Sequence, residues 1–256
     1  MCRLLGIVSS SPNSITNLLD EDLPSFTALS QEHADGWGVA YRTLDGLGTT
    51  RSVEPAYQSS AYHKAVGAIQ TDLALLHLRL ANPGSRLTEA NTHPFVLGAA
   101  AFAHNGHFSP ADALDELIDP DLLSLAAGDT DSERYFLLIL QELRAGEEPV
   151  SALQNAARAV RERARFSGLN CLLLTPDALY AHSDSDPDSE VSRRRGPDFF
   201  RLSYRVMPDR VVVASSGWRQ PEAQWIGLGS GTVLQIDRAG LRVQVHETTG
   251  IPSRAR

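Results

Sequence analysis

The chain opens Met1-Cys2-Arg3-Leu4-Leu5-Gly6, so a thiol stands directly after the initiator methionine and directly ahead of an apolar run. Arg3 to Ser9 reads as a short buried strand, closed by Ser9-Ser10-Ser11-Pro12. A fold built on this start carries a cysteine at the head of its first core strand. Methionine aminopeptidase trims Met when the next side chain is small, and Cys is small. The mature chain is therefore expected to begin at Cys2, with thiol and free α-amine on one residue. That amine has an ordinary pKa of about 7.7–8.0 and near neutral pH can serve as base toward its own thiol. An N-terminal amine is a recognised partner for a nucleophile. A cysteine here can equally be an accident of the translation start, and the rest of the chain decides between the two.

Composition narrows the classes. A length of 256 residues fits one large domain or two small ones, and 42% hydrophobic content supports a real core. A net charge of −8 argues against nucleic acid as a partner. Arg193-Arg194-Arg195 sits in an Asp/Ser/Pro-rich segment and reads as a solvated loop. Two cysteines, Cys2 and Cys171, make no disulfide scaffold, and Cys171 in Cys-Leu-Leu-Leu reads as a core thiol. The start has no basic segment followed by a long apolar one, and no stretch approaches the roughly 20 apolar residues of a membrane span. A cytoplasmic protein with no membrane association is expected.

Taken in order, the chain gives two short helices over 13–20 and 24–32, then paired strands over 37–43 and 49–53 joined through Asp45-Gly46. A helix is expected over 60–71 and a strand over 73–80, with Leu76, Leu78 and Leu80 on one side and His77 and Arg79 on the other. Residues 81–94 form a long irregular loop, a length often tied to function. A small-residue strand over 97–103 runs into His104-Asn105-Gly106-His107. Helices follow over 110–118, 135–143 and 150–165, the second after a capping-box pattern, Thr130-Asp131-Ser132-Glu133. Six short strands fill the last third, with 183–197 as its mobile loop. Strands, a helical block, then strands suggest two sheets with helices outside, a layered α+β domain.

Several polar residues sit where chemistry could use them. The Asn105 amide and the Gly106 N–H suit an oxyanion hole, although Asn-Gly is also the commonest tight-turn signal. Arg79 suits a carboxylate, which a guanidinium grips with two parallel hydrogen bonds, or else a structural acid. Asp131 suits an ammonium, or simply complements a helix start. His104 and His107 lack further ligands at zinc spacing, and Asp184-x-Asp186-x-Asp188 lacks the glycine and terminal glutamate of a calcium loop. Gly227-x-Gly229-x-Gly231 lacks dinucleotide-binding spacing. No metal and no cofactor are expected.

In order along the chain, Met-Cys-Arg-Leu-Leu-Gly, the segment from His33 to Ala40, His77-Leu78-Arg79, the segment from Asn91 to Phe95, the segment from Ala103 to His107 and Thr130-Asp131-Ser132-Glu133 resemble signatures of the class II glutamine amidotransferases, of the N-terminal-nucleophile type. They cover residues 2 to about 133; in the second half only Ala214-Ser215-Ser216-Gly217 resembles a family strand end. Within the family, the stand-alone members with an Asp-Gly-Trp-Gly segment are the most similar, among them the γ-glutamyl amidohydrolase of ergothioneine biosynthesis.

The resemblance implies a single αββα four-layer sandwich over 2–256. It implies Cys2 as nucleophile, Asn105 and Gly106 as oxyanion hole, Arg79 for the α-carboxylate and Asp131 for the α-ammonium of a γ-glutamyl substrate. Asn82 is a further substrate-binding candidate. Relative to synthase-linked members, Leu80 replaces a tryptophan and Asn82-Pro83 replaces Thr-His. The activity implied is hydrolysis of a γ-glutamyl amide through a thioester. The alternatives are a glutaminase subunit feeding ammonia to a synthase in another chain, and a non-catalytic interaction protein. The sandwich is expected to use up the chain and leave no synthase domain in it. A synthase or a second copy of this chain are the partners left open.

Overall fold

A computed structural model of the chain describes residues 1–247. Its strands, in chain order, are β1 (Arg3–Ser14), β2 (Trp37–Arg42), β3 (Leu47–Ser52), β4 (Gln70–Leu78), β5 (Phe95–Leu97), β6 (Ala100–Ser109), β7 (Arg165–Leu174), β8 (Ala178–Ser183), β9 (Leu202–Val206), β10 (Arg210–Ser215), β11 (Ile226–Gly227), β12 (Thr232–Asp237) and β13 (Val243–Glu247). The α-helices are α1 (Ile15–Leu19), α2 (Asp22–Ala28), α3 (Ser60–Ala68), α4 (Pro120–Leu123), α5 (Asp131–Arg144), α6 (Pro149–Arg163) and α7 (Glu190–Arg195). One sheet runs β11-β9-β10-β1-β4-β2-β3 and the other β13-β12-β8-β7-β6-β5, and the pairs at their centres are antiparallel.

The apolar runs explain the layering. Along β1, Leu4 and Val8 face the second sheet, while Leu5 and Ile7 face α1–α3. A strand covered on both sides reads as a continuous apolar run, which is what the sequence has there. Between the sheets lie Leu4, Leu75, Ala103, Leu172 and Val213. Outside one sheet pack Phe26, Tyr62 and Val66. Outside the other, Phe136 and Leu153 of α5 and α6 pack on Phe102 and Phe108. The layers are helix, sheet, sheet, helix: the αββα sandwich expected from the sequence.

Four local expectations change. The strand over 97–103 instead begins at Ala100 and runs on to Ser109, so Asn105-Gly106 lies within β6 and not after it. The helix expected over 110–118 is a turn and a 3-10 segment, Asp115–Leu117. Pro120 holds Asp119 extended, at ψ 136°, and the stretch before it is too short to repay helix nucleation. The loop over 183–197 holds α7, whose last turn carries the three consecutive arginines; Arg195 pairs with Glu32 at 2.5 Å. The polar side of β4 faces the other sheet and is buried at His77.

Candidate active site

Register fixes the neighbourhood of Cys2. In the β1–β4 pair Leu4 lies opposite His77, and continuing by two residues sets Cys2 opposite Arg79. Alternation along the strands then sorts the faces. Cys2 falls on the side of Leu4, His77 and Arg79 on the side of Leu75, and Asn105 on the side of Ala103, all facing the space between the sheets.

The Cys2 thiol is buried, 3.9 Å from the Leu80 carbonyl. Burial pushes its pKa up, opposed by the amino terminus and by Arg79. Met1 precedes it, and the Met1 amine donates to the same carbonyl at 3.3 Å; burial lowers the pKa of that amine. Beside them Arg3 donates to His33 Nε2 at 3.1 Å and to the Phe199 carbonyl at 3.1 Å. Burial, with Arg3 adding to it, brings His33 down to about 3, so its ring is neutral.

The Asp-Gly-Trp-Gly segment holds the end of β4. Asp35 N–H donates to the Arg79 carbonyl, Arg79 N–H to the Gly36 carbonyl, and the Asp35 carboxylate accepts from Ala81 N–H at 2.8 Å. A Cβ on Gly38 would sit 2.1 Å from the His93 carbonyl oxygen, so only glycine lets the two chains pass. The Arg79 guanidinium donates from Nη2 to the Arg86 carbonyl at 3.0 Å, while its Nη1 is buried without a hydrogen-bond partner among the described residues. Arg86 is clamped to Asp129 at 2.6 Å, and Asn91 donates to the same carboxylate at 2.6 Å. The loop after Arg79 is thus tied to the residues leading into α5.

Asp131 begins α5 behind its N-cap, Thr130. Its Oδ2 accepts from Phe108 N–H at 2.8 Å and lies 3.3 Å from His107 Nδ1, an ion contact more than an aligned hydrogen bond. Burial alone would raise the Asp131 pKa, but His107, His104 and the Phe108 N–H outweigh it and hold the carboxyl below its usual range. The same carboxylate pulls His107 up.

Asn105 is fully buried, and neither its Nδ2 nor its Oδ1 has a hydrogen-bond partner among the described residues. Buried polar atoms are usually paired with protein, water or a ligand, so both amide atoms are open to such a partner. Gly106 passes so close to β7 that a Cβ would meet the Gly168 carbonyl oxygen at 1.7 Å. Asn82 lines a cleft of about 570 Å³ with Met1, His107, Ser109, Phe166 and Ser167. Cys171 is a free, fully buried thiol on the far side of the second sheet, as its apolar surroundings suggest.

The sequence profile of the class II glutamine amidotransferases matches residues 1–250. The chain belongs to this family. Among its relatives, this class II glutamine amidotransferase is 28% identical over 213 residues to an uncharacterized protein of Methanocaldococcus jannaschii, covering 79% of this chain and 56% of that one. It is 30% identical over 116 residues to the gamma-glutamyl-hercynylcysteine sulfoxide hydrolase of Mycobacterium tuberculosis, 41% of this chain and 49% of that one. The chain thus spans about half the length of the curated relatives it matches. A class II domain protein from Silicibacter pomeroyi superposes with a TM-score of 0.67 at 22% identity, over 96% of this chain and 99% of that one. The phosphoribosylpyrophosphate amidotransferase of B. subtilis superposes at 0.64 and 17% identity, over 98% and 50%. These solved structures share the fold of this family member. His93, Arg86 and Asp129 bear on the site although no role was read for them in the sequence; His93 stood inside a recognised motif, whereas Arg86 and Asp129 carried no local signal.

Proposed function

We propose that the chain hydrolyses a γ-glutamyl amide, with Cys2 as an N-terminal nucleophile once Met1 is removed. The observation that carries this is the set of unpaired buried polar atoms facing one space beside a thiol: Arg79 Nη1 and both amide atoms of Asn105. A γ-glutamyl group offers a carboxylate and an ammonium at one end and an amide carbonyl at the other. Arg79 would take the carboxylate by charge-assisted hydrogen bonding, and Asp131, ionised and buried, the ammonium.

The thiol, raised by burial, is no ready thiolate and needs a base. An α-amine freed at Cys2 would meet burial of the kind that lowers the pKa of the Met1 amine, which favours the unprotonated form that a base needs. It takes the thiol proton as Sγ bonds to the carbonyl carbon of the scissile amide. The oxyanion is held by Asn105 Nδ2 and Gly106 N–H. The C–N bond breaks as the amine hands its proton to the leaving amine, leaving a thioester. Water then adds to that carbonyl, and glutamate leaves with the thiol restored.

The mycobacterial relative is by its name a hydrolase of a γ-glutamyl compound, which supports the same reaction class. The cleft that Asn82 lines gives room for an amine larger than ammonia. The clamp of Arg86 and Asn91 on Asp129 agrees with a loop that is held in place.

The test is glutamate release from glutamine and from a panel of γ-glutamyl amides and peptides, with intact-mass analysis of the active protein. Active protein is expected to begin at Cys2, to prefer an amide larger than glutamine and to need no partner. Cys2→Ala is expected to fold and to release no glutamate. Full activity with Met1 retained would refute the N-terminal mechanism. Preference for glutamine, with activity rising strongly only when a synthase binds, would favour an ammonia donor.

A further inference from the structure

β5 covers the edge of β6 only to the pair Phe95 and Phe102. Beyond it, at His104 and Asn105, β6 loses that strand partner. His93 lies near enough to His77 and His104 to feel their charge. His77, from the nucleophile's sheet, meets His93 there, with ring centroids 4.4 Å apart. The His104 carbonyl is close enough to the His77 ring to act on its charge. Both rings are buried, and among the described residues all four of their nitrogens lack a hydrogen-bond partner, as do both amide atoms of Asn105. The unpaired nitrogens of this pair thus lie beside the stretch of β6 that carries Asn105, next in the chain to His104.

An oxyanion donor has to point the right way. A side-chain amide presents NH₂ or, turned by half a revolution, its carbonyl oxygen. Nothing on β6 or β7 fixes that choice for Asn105, since neither atom is bonded within the protein. A neutral imidazole carries one donor and one acceptor. A donor from this pair, directly or through one ordered water, satisfies Oδ1 and leaves Nδ2 toward the thiol. Burial keeps both rings uncharged, so each retains an acceptor nitrogen for its neighbour.

We propose that His77 and His93 are positioning residues that set the orientation of the Asn105 amide toward the Cys2 thiol. The proposal rests on the γ-glutamyl amide reading above. Neither ring touches substrate; each acts through Asn105.

The experiment is a double-mutant cycle on the full chain, read by steady-state glutamate release with the best γ-glutamyl amide. His77→Phe is expected to lower kcat by about 10- to 100-fold, the scale of a catalytic group misplaced by about 1 Å. KM should change by less than about twofold, because an interaction made only in the transition state is lost. His77→Gln, which keeps a donor and an acceptor, should recover most of the rate. In an Asn105→Ala background, His77→Phe should cost nothing further. Losses that multiply, an equal loss for Gln and Phe, or an unchanged kcat would each overturn the proposal. Should His77→Phe not fold, His93→Phe and His93→Gln carry the same comparison. Wild type against Cys2→Ala reports on the underlying reaction separately: if both are inactive that reading fails, and if only wild type is active the histidine variants bear on this proposal alone.

Discussion

Gly106 is where a single hydrogen atom decides whether the site can exist. A methyl group there overlaps the Gly168 carbonyl oxygen, which is backbone and cannot swing aside. Gly106→Ala is expected to push β6 from β7, lowering the melting temperature and the rate together, as thermal unfolding and glutamate release would show. Arg79→Ala should behave differently. It removes a buried charge with one free nitrogen, so kcat/KM should fall sharply while the fold persists. At this scale the sequence was legible in placement: the alternation around His77-Leu78-Arg79 put Arg79 on the face of β4 where the register sets it opposite Cys2. It misled at Asn105-Gly106, because that dipeptide ordinarily turns a hairpin. Here it stays extended, since a strand that enters a polar cleft can carry polar residues without ending.

The start of α5 shows the same mixture at the scale of elements. The capping-box pattern correctly marked the helix start, and Thr130 Oγ1 accepts from Glu133 N–H at 3.2 Å. The reciprocal half goes elsewhere: the Glu133 carboxylate accepts from Ala127 and Gly128 N–H, bracing the turn before the helix. Local pattern finds the cap, but only the path of the preceding turn decides what Glu133 binds. Thr130→Ala is expected to cost about 1 kcal/mol by denaturant unfolding. Because Asp131 is the next residue, KM for a γ-glutamyl amide should rise more than kcat falls. Unchanged KM would make Asp131 independent of the cap. The central strands were read well because their apolar runs are buried on both faces, whereas residues 110–118 were misread because Pro110 and Pro120 bracket a stretch too short and too acidic for a helix.

Across the whole molecule, buried imidazoles set the response to acid. His33, His77, His93, His104 and His182 all have pKa values lowered, with burial as the largest cause. Unfolding returns each ring to its ordinary value of about 6.5. A folded pKa below the unfolded one gives stability that is present above about pH 6.5 and is lost as pH falls toward the folded value, about 3 for His33. His107, raised by Asp131, works the other way, and it is one ring against several. The urea midpoint should therefore fall between about pH 7 and pH 5, with net proton uptake on unfolding, before the carboxylates titrate. A flat midpoint over that range would mean that the rings titrate as in the open chain. The order of the strands adds a constraint in time. β1 lies between β4 and β10, so the first strand made is completed by one of the last, ending at Ser215. At the usual pace of synthesis this is a delay on the order of ten seconds. Throughout it β1 has no second neighbour, and an aminopeptidase can reach Met1. In the finished fold β10 pairs with Leu5–Ser9 and Met1 stays half-buried on the lining of the cleft, so the proposed trimming is easiest during translation without being confined to it.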